Sequence, residues 1–216
     1  MLSKVLLELC KNKDLSPVLG FKWWTCAMFF YDLPRLSVDL DFDFLWKDHK
    51  KIIPIIKKIL ENFGKISDFE DKFYTLFYEL NYGFGERNMK IEIRKKWLFW
   101  EFTTRNFMWE NILIMKESDL FTNKLIALLH RKTVTNRDIF DTRFFLQKWV
   151  QINEKIFIDQ IQKTTKEYLQ KIYEFIKNYD FWKILYWLWE LVDNEQKNFA
   201  KTKMKDQILW FLKFYI

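Results

Sequence analysis

Glycine is scarce in this sequence. The chain of 216 residues contains only 4 glycines, whereas an average usage of about 7% corresponds to roughly 15 at this length. Tryptophan is abundant instead, with 11 residues. Glycine is the usual residue at tight turns and helix ends because it lacks a Cβ atom. Other residues must therefore stand at many of these places.

Cysteine, histidine and long apolar runs are also scarce. Cys10 and Cys26 are too few for a disulfide scaffold or a four-thiolate zinc site, and they suit a reducing compartment. His49 and His130 lie far apart, and no Ser-His-Asp or Cys-His triad is indicated. No apolar run reaches the roughly 18 residues of a membrane helix, and no signal peptide opens the chain. We therefore expect a cytoplasmic protein with no membrane partner.

What the chain does contain is apolar and basic. Half of it is hydrophobic and 20% is aromatic, which excludes intrinsic disorder. The formal net charge of +7 is typical of proteins that bind nucleic acids or nucleotides. An AT-rich genome offers an alternative explanation, because its codons enrich lysine together with Ile, Phe, Asn and Tyr. The charge alone leaves both explanations open.

The pattern of apolar residues changes near residue 117. The first part predicts helices over 1–13 and 49–63 and strands over 17–22, 37–44, 73–80 and 89–94. The second part has a helical period throughout and predicts helices over 119–131, 135–148, 152–178, 182–192 and 194–215. We predict an α+β fold, in which a mixed-sheet core (residues 1–117) is followed by a C-terminal helical bundle (residues 118–216).

Carboxylates alternate with apolar residues along the strand over 37–44. Asp39 and Asp41 point to the same side, roughly 6.5–7 Å apart, and can converge on Mg²⁺. Glu92, in a second apolar strand, offers a third acid. Two acids from one strand and one from a neighbour form the usual platform for two-metal nucleotidyl transfer. The alternative is that both strands are sheet edges whose acids are simply solvated.

Cations and acids also recur in the helical part. Lys124 and Arg131 share one face of a predicted helix, and Asp138 and Asp141 share a face of the next. The two cations could bind a triphosphate while the two acids orient the lysine. The alternative is a set of surface ion pairs on an ordinary helical hairpin, which contribute little to stability.

These motifs, in this order, resemble the AbiEii-type nucleotidyltransferase toxins of abortive-infection and type IV toxin–antitoxin systems. The resemblance lies in Arg35-Leu-Ser-Val-Asp-Leu-Asp-Phe42, Lys90-Ile-Glu-Ile93, the helix from Lys124 to Arg131, and Arg137-Asp-Ile-Phe-Asp141. It implies a polymerase-β-like nucleotidyltransferase core that uses an NTP and Mg²⁺ (or Mn²⁺). It also implies NMP transfer onto an RNA, with tRNA favoured, or onto a protein, and a possible cognate antitoxin.

The resemblance assigns roles to individual residues. The metal ligands and catalytic acids would be Asp39, Asp41 and Glu92, while Lys124 would contact a phosphate and Asp138 would be supporting or catalytic. The remaining nucleotide-binding positions would be Trp23, Trp24, Thr25, Arg35, Ser37, Arg131 and Asp141.

The sequence departs from the family at residues 23 and 24, where two tryptophans replace a Gly-Gly pair whose backbone approaches phosphate. One interpretation is an inactive family member in which Trp23 and Trp24 close the nucleotide pocket and the protein binds RNA or a partner. A second is that the tryptophans at 23, 24, 149, 187 and 189 stand at UGA codons which the organism reads as glycine. A further alternative for the function is a lysine-rich domain whose basic charge comes from codon bias and which binds neither NTPs nor RNA.

Overall fold

The computed structural model describes residues 1–46, 48–95, 100–131, 135–186 and 188–216. The chain forms two compact units. The first comprises Met1–Asp32 and Ser37–Lys116, and the second comprises Leu33–Leu36 and Glu117–Ile216. The second unit thus includes a short segment from the first part of the chain, which a single boundary at residue 117 leaves out.

One mixed sheet forms the centre of the first unit. Its seven strands within the described ranges are β1 (Leu19–Lys22), β2 (Leu40–Phe44), β3 (Lys65–Asp71), β4 (Thr75–Asn81), β5 (Met89–Arg94), β6 (Phe102–Phe107) and β7 (Glu110–Met115). The strands lie in the order β3-β4-β5-β2-β1-β7-β6. Strand β2 runs parallel to β5 and antiparallel to β1. The mixed sheet confirms the predicted fold class.

Strand β2 lies inside the sheet. Its apolar residues Leu40, Phe42 and Phe44 are buried, as the alternating pattern predicts. The strand begins at Leu40, three residues later than predicted, so Asp39 precedes it. Because β2 lies between β5 and β1, and β5 between β4 and β2, neither is an edge strand. The interpretation of these strands as solvated edges is therefore wrong.

Three strands were not predicted. Strands β3 and β6 form the two outer edges of the sheet, and most of their residues are exposed or half-buried. Edge strands need no apolar face as long as their neighbours have one, so their sequences lack a clear period of two. Strand β7 was missed together with β6, its hairpin partner.

Three helices accompany the sheet in the first unit: α1 (Leu2–Lys11), α2 (Trp23–Phe30) and α3 (Ile52–Glu61). Helix α1 packs against β7 and α3, and α3 packs against β3. Each buries one apolar stripe, which confirms the predicted helices at 1–13 and 49–63. Helix α2 follows β1 directly, so Trp23 stands at the junction between strand and helix.

In the described part of the second unit, the regular elements are helices. Its helices are α4 (Glu117–His130), α5 (Asn136–Gln147), α6 (Glu154–Ile161), α7 (Thr165–Asn178), α8 (Asn194–Thr202) and α9 (Met204–Tyr215). The helix predicted over 152–178 is interrupted at Gln162, which adopts a left-handed conformation. A capping box between Thr164 and Glu167 then begins α7. Across the described ranges, every helix is too short or too polar to cross a bilayer.

The helix predicted over 182–192 does not form. A short 3-10 helix at Phe181–Lys183 is followed by turns, and Trp187 lies outside the described residues. The side-chain amide of Asn136 donates to the backbone carbonyls of Lys183 and Tyr186. These bonds engage carbonyl oxygens that a regular helix would use internally, which accounts for the irregular backbone.

Candidate active site

The acidic residues of the first unit gather on two interior strands. Asp41 on β2 stands in register with Glu92 on the parallel strand β5. Directly paired residues on neighbouring strands are about 5 Å apart, and their side chains leave the sheet on the same face. Asp41 is half-buried and Glu92 is exposed. Two of the three predicted metal ligands are therefore cross-strand neighbours, and Asp39 lies just before β2.

This arrangement perturbs the protonation of Asp41. Burial raises the pKa of Asp41 to about 7, and the negative charges of Glu92, Asp39 and Asp43 raise it further, against the opposing effect of Lys22. An aspartate with this pKa is about half protonated at neutral pH. A cation bound nearby would reverse the balance, because it stabilises the charged form.

Asp43 has cationic partners of its own. Its carboxylate is completely buried and paired with the ammonium of Lys22, which is also buried. The indole Nε1 of Trp100 donates to the second oxygen over 2.8 Å, and Nε of Arg94 lies 3.6 Å from the first. Burial lowers the pKa of Lys22 although Asp43 opposes the change. This cluster neutralises Asp43 internally.

The acids of the first unit offer suitable donor atoms for a divalent cation. Carboxylate oxygens are the ligands that Mg²⁺ prefers, and the pKa of Asp41 is raised first by burial and then by the neighbouring acids, effects that a bound cation would oppose. In the part of the chain that the structure describes, however, no three His, Cys, Asp or Glu side chains are arranged to hold a metal. The donor chemistry fits Mg²⁺, while the assignment of Asp39, Asp41 and Glu92 as ligands stays a prediction.

Thr25 and Ser37 position the segment that leads into β2. The buried hydroxyl of Thr25 donates to the backbone carbonyl of Asp39 and also bonds the Ser37 hydroxyl over 2.8 Å. These contacts link the start of helix α2 to the backbone of a predicted metal ligand. Thr25 therefore contacts the backbone of the acidic group directly, and Ser37 contacts Thr25.

Trp23 and Trp24, which replace the Gly-Gly pair, occupy the start of α2. The ring of Trp23 lies 5.2 Å from Nζ of Lys22 and 5.8 Å from Cζ of Arg94, distances typical of cation–π contacts. It also packs edge-on against Trp100 at 5.7 Å and lies 6.0 Å from the ring of Trp24. The indole of Trp23 thus covers two cations that surround Asp43.

The predicted site residues of the second unit form one ionic cluster. Arg35 binds Asp141 with two hydrogen bonds, of 2.6 and 2.7 Å. Nζ of Lys124 lies 2.5 Å from Asp138 and 2.8 Å from Asp141. Arg131 binds the other oxygen of Asp138 over 2.7 Å. All five residues are brought together within this unit.

Most of this cluster is shielded from water. Arg35, Lys124, Asp138 and Asp141 are all buried, and only Arg131 is exposed, at 45% of its side chain. The interpretation of these residues as surface ion pairs is therefore wrong for all but Arg131. Burial would raise the pKa of Asp141, but Arg35 and Lys124 outweigh it and hold that pKa below its usual range. Burial lowers the pKa of Lys124 against the attraction of both aspartates.

Several residues of these sites escaped the sequence analysis. Lys22, Arg94 and Trp100 pair with Asp43, yet nothing in their local sequence indicates a shared partner, because they come from different segments. The one available signal was Lys22, a cation at the end of an apolar run. Thr135 also belongs to the ionic cluster of the second unit, since its hydroxyl donates to Asp138 over 2.8 Å.

Comparisons with known proteins place the chain in a family and show what its fold resembles. Residues 25–208 match the family described as nucleotidyl transferase AbiEii toxin, type IV TA system. Two crystal structures are similar at TM-score 0.62 and 21% identity over 99% of this chain. They are JHP933 from Helicobacter pylori, of which 92% is covered, and a putative nucleotidyltransferase from H. pylori, of which 96% is covered. At this identity they show a shared fold.

No curated protein matches the sequence significantly. The family match includes Thr25, Arg35, the β2 acids, Glu92 and the whole ionic cluster of the second unit, and it spans most of the 216 residues. The chain belongs to the AbiEii nucleotidyltransferase toxin family of type IV toxin–antitoxin systems.

Proposed function

We propose that this chain is a Mg²⁺-dependent enzyme that moves an NMP from an NTP onto an RNA, with tRNA as the favoured acceptor, or onto a protein. The family is a nucleotidyltransferase family, which gives the reaction class. The observation that carries the proposal is the in-register pair Asp41 and Glu92 on two interior strands, with Asp39 just before β2. The raised pKa of Asp41 adds to it, because it marks a place where a cation is stabilising.

The reaction follows from the chemistry of nucleotidyl transfer. A hydroxyl oxygen of the acceptor attacks the α-phosphorus, the bond from that phosphorus to the β-phosphate oxygen breaks, and pyrophosphate leaves. The hydroxyl proton passes to solvent. Asp39, Asp41 and Glu92 would hold Mg²⁺ (or Mn²⁺), which when bound stabilises negative charge on the triphosphate and on the leaving group. Thr25 and Ser37 fix the backbone of Asp39 for this role.

In the second unit we propose a division of roles. Arg131 has an exposed guanidinium face and is the cation suited to contact a phosphate. Lys124 is completely buried between Asp138 and Asp141, so it acts by holding these acids and, through them, Arg131 and Arg35 in place. A direct contact of Lys124 with phosphate would require these ion pairs to open.

Because type IV systems pair a toxin with an antitoxin, we propose that this chain is the toxin of such a pair and has a cognate antitoxin. The net charge of +7 supports an RNA acceptor rather than a protein acceptor, because the phosphate backbone of an RNA attracts basic proteins at long range.

The direct test is transfer of labelled NTPs to total tRNA in the presence of Mg²⁺. The purified chain and a Trp23→Gly/Trp24→Gly variant should be compared with Asp41→Asn, and with Asp68→Asn on the exposed edge strand as the matched control. We expect label on tRNA from an active form, its loss in Asp41→Asn and its retention in Asp68→Asn. The proposal would be overturned if neither the purified chain nor the Trp23→Gly/Trp24→Gly variant transferred label, or if transfer survived Asp41→Asn.

A second candidate is a family member that binds without catalysis. The cover that Trp23 forms over Lys22 and Arg94 favours it, since an indole there restricts access to both cations. This candidate predicts that NTPs leave the melting temperature unchanged, while RNA binding persists and weakens steeply with salt. Stabilisation of the chain as it stands by Mg²⁺-NTP would eliminate it.

A further inference from the structure

Three of the nine tryptophans in the described ranges adopt a left-handed backbone. Their φ angles are 61° at Trp23, 70° at Trp109 and 55° at Trp149. Only a few per cent of non-glycine residues have positive φ, and bulky residues are outliers there because their Cβ approaches the following carbonyl oxygen. Asp32, Met108 and Gln162 are the other non-glycine residues with positive φ in the described part.

Trp149 stands at the glycine position of a helix C-terminal motif. Helix α5 ends at Gln147, and the N–H of Trp149 donates to the carbonyl of Leu146 over 3.1 Å. The next N–H, of Val150, donates to the carbonyl of Phe145 over 3.3 Å. These two bonds define a Schellman motif, whose left-handed residue is usually glycine. Val150 and Phe145 are both buried, as the motif's apolar contact requires.

Trp109 stands at the glycine position of a two-residue hairpin. Phe107 and Glu110 form the last pair between β6 and β7, so Met108 and Trp109 make the connection. Both have positive φ, which is the requirement of a type I′ turn. Asn-Gly is a strongly preferred sequence for this turn, with glycine in the place that Trp109 occupies.

The indoles themselves do not account for these positions. Trp109 is 94% exposed, so its indole gains little from burial. The ring of Trp149 is 51% exposed and contacts the rings of Phe211 at 5.5 Å and Tyr215 at 5.8 Å, but its left-handed backbone belongs to the Schellman motif and not to these ring contacts. Trp100 provides the contrast, since it is buried, binds Asp43 through Nε1 and has no positive φ. Its indole is used by its surroundings, whereas the backbone at 109 and 149 favours a residue without Cβ.

We propose that positions 23, 109 and 149 are glycine positions of this fold, and that their codons are UGA, read as glycine in the cell of origin. The chain has 4 glycines where roughly 15 are usual for this length, and 11 tryptophans, a composition that fits the replacement of some glycines by tryptophan. The backbone observations at 109 and 149 are independent of any nucleotide chemistry. They show the same substitution in a hairpin of the first unit and at a helix end of the second.

At position 23 the proposal has a functional consequence, which rests on the proposed function. Glycine at this position removes the indole that covers Lys22 and Arg94 at the start of α2. Those two cations surround Asp43, which lies on β2 two residues after Asp41. Trp23 therefore determines whether a triphosphate can approach the acidic strand.

Paired glycine and alanine variants test the backbone claim. Both remove the indole, but only alanine keeps the Cβ atom in the left-handed conformation. At 109 and 149 the glycine variant should melt about 2–4 °C above the alanine variant. At Trp100, which serves as the matched control, the order should reverse, because glycine has the larger conformational entropy to lose. Equal melting temperatures at 109 and 149, or alanine above glycine there, would overturn the claim.

Calorimetric binding of the four Mg²⁺-NTPs tests the consequence at position 23. Trp23→Gly should bind at least one NTP about tenfold or more tightly than Trp109→Gly, which shares the backbone relief but lies elsewhere. Equal affinity would overturn the role of Trp23 while leaving the melting comparison to judge the backbone claim. NTP binding by Trp23→Gly without label transfer to any acceptor would instead count against the proposed function.

The gene and the native protein give the remaining test. UGA codons at 23, 109 and 149, with glycine at these positions in peptides from the cell of origin by mass spectrometry, are the expected result. UGG codons, or tryptophan in the native peptides, would overturn the proposal.

Discussion

Two groups of aspartates, one in each unit, have opposite electrostatic environments. In the first unit Asp41 is half-buried beside other acids, and its pKa is raised to about 7. In the second unit Asp141 is completely buried between Arg35 and Lys124, and its pKa is lowered. Burial and neighbouring acids thus raise the pKa of an aspartate in one unit, whereas two ion pairs lower the pKa of an aspartate in the other. We infer that the first group is built to receive a cation and the second to hold its own cations in place.

The largest expected effect concerns the buried cluster of the second unit. Asp141→Asn leaves Arg35 and Lys124 without their shared counter-charge, and breaking such a buried pair costs about 3–5 kcal/mol. Urea unfolding should register this loss. Asp68→Asn, on the exposed edge strand β3, should change stability by less than about 0.5 kcal/mol. Equal stabilities of the two variants would show that the cluster is not a structural unit.

The next effect is the pH dependence of cation binding in the first unit. Because a proton and a cation compete for Asp41, whose pKa is about 7, Mn²⁺ affinity should fall about tenfold per pH unit below 7. Calorimetric titration with MnCl₂ from pH 8 to pH 5 should therefore show about a 100-fold loss. Asp41→Asn should bind weakly at every pH. A flat affinity in the parent chain would contradict the assignment of Asp41.

Stability should depend on pH with opposite signs for the two aspartates. The folded pKa of Asp41 is raised, so without a cation its ionisation destabilises the fold as pH rises from about 4 to about 7. The folded pKa of Asp141 is lowered, so its contribution is present above about pH 4 and lost as pH falls through the folded value. The free energy of unfolding of the parent chain minus that of Asp41→Asn, measured at pH 5 and at pH 8, isolates the effect of Asp41. A larger difference in favour of the parent at pH 8 would refute it.

A smaller effect on stability is expected at Thr25, which holds the segment that leads into β2. Thr25→Val keeps the shape but removes the hydrogen bonds to the Asp39 carbonyl and the Ser37 hydroxyl, which costs about 1–2 kcal/mol. Ser37→Ala, which removes only one of these bonds, is the matched control and should cost less. Denaturant unfolding of both variants gives the comparison. The reverse order would mean that Thr25 acts through some other contact.

The smallest expected change in stability is at Arg131. Because its guanidinium is 45% exposed, Arg131→Ala should cost less than about 1 kcal/mol, whereas Arg35→Ala should cost several times more. If Arg131 contacts phosphate, its removal should weaken NTP binding although the fold is intact. Unchanged NTP affinity in Arg131→Ala would remove its proposed role.

The sequence predicted the parts of the molecule whose pattern is local. The alternation around Leu40, Phe42 and Phe44 placed a half-buried strand, and the acids on its other face were identified before any neighbour was known. Its position inside the sheet could not be predicted, since pairing with β5 and β1 depends on residues far along the chain. The edge strands β3 and β6 were missed because exposed strands carry little apolar pattern.

The ionic residues were identified, but their environment was not. Nothing in the spacing of Lys124, Asp138 and Asp141 reveals that they are buried, and the segment that carries Arg35 joins them from the first part of the chain. In the same way, the pairing of Asp43 with Lys22 and Trp100 depends on contacts between separate segments. Charge neutralisation by distant residues is what the sequence leaves undetermined.

The central claim is that the carboxylates of β2 and β5 receive a cation while those of the second unit do not. Calorimetric Mn²⁺ titrations of the parent chain, Asp41→Asn, Glu92→Gln and Asp68→Asn at pH 8 test it directly. We expect Asp41→Asn and Glu92→Gln to lose binding, whereas the parent chain and the exposed control Asp68→Asn retain it. Unchanged Mn²⁺ affinity in both Asp41→Asn and Glu92→Gln would show that these carboxylates do not receive the cation.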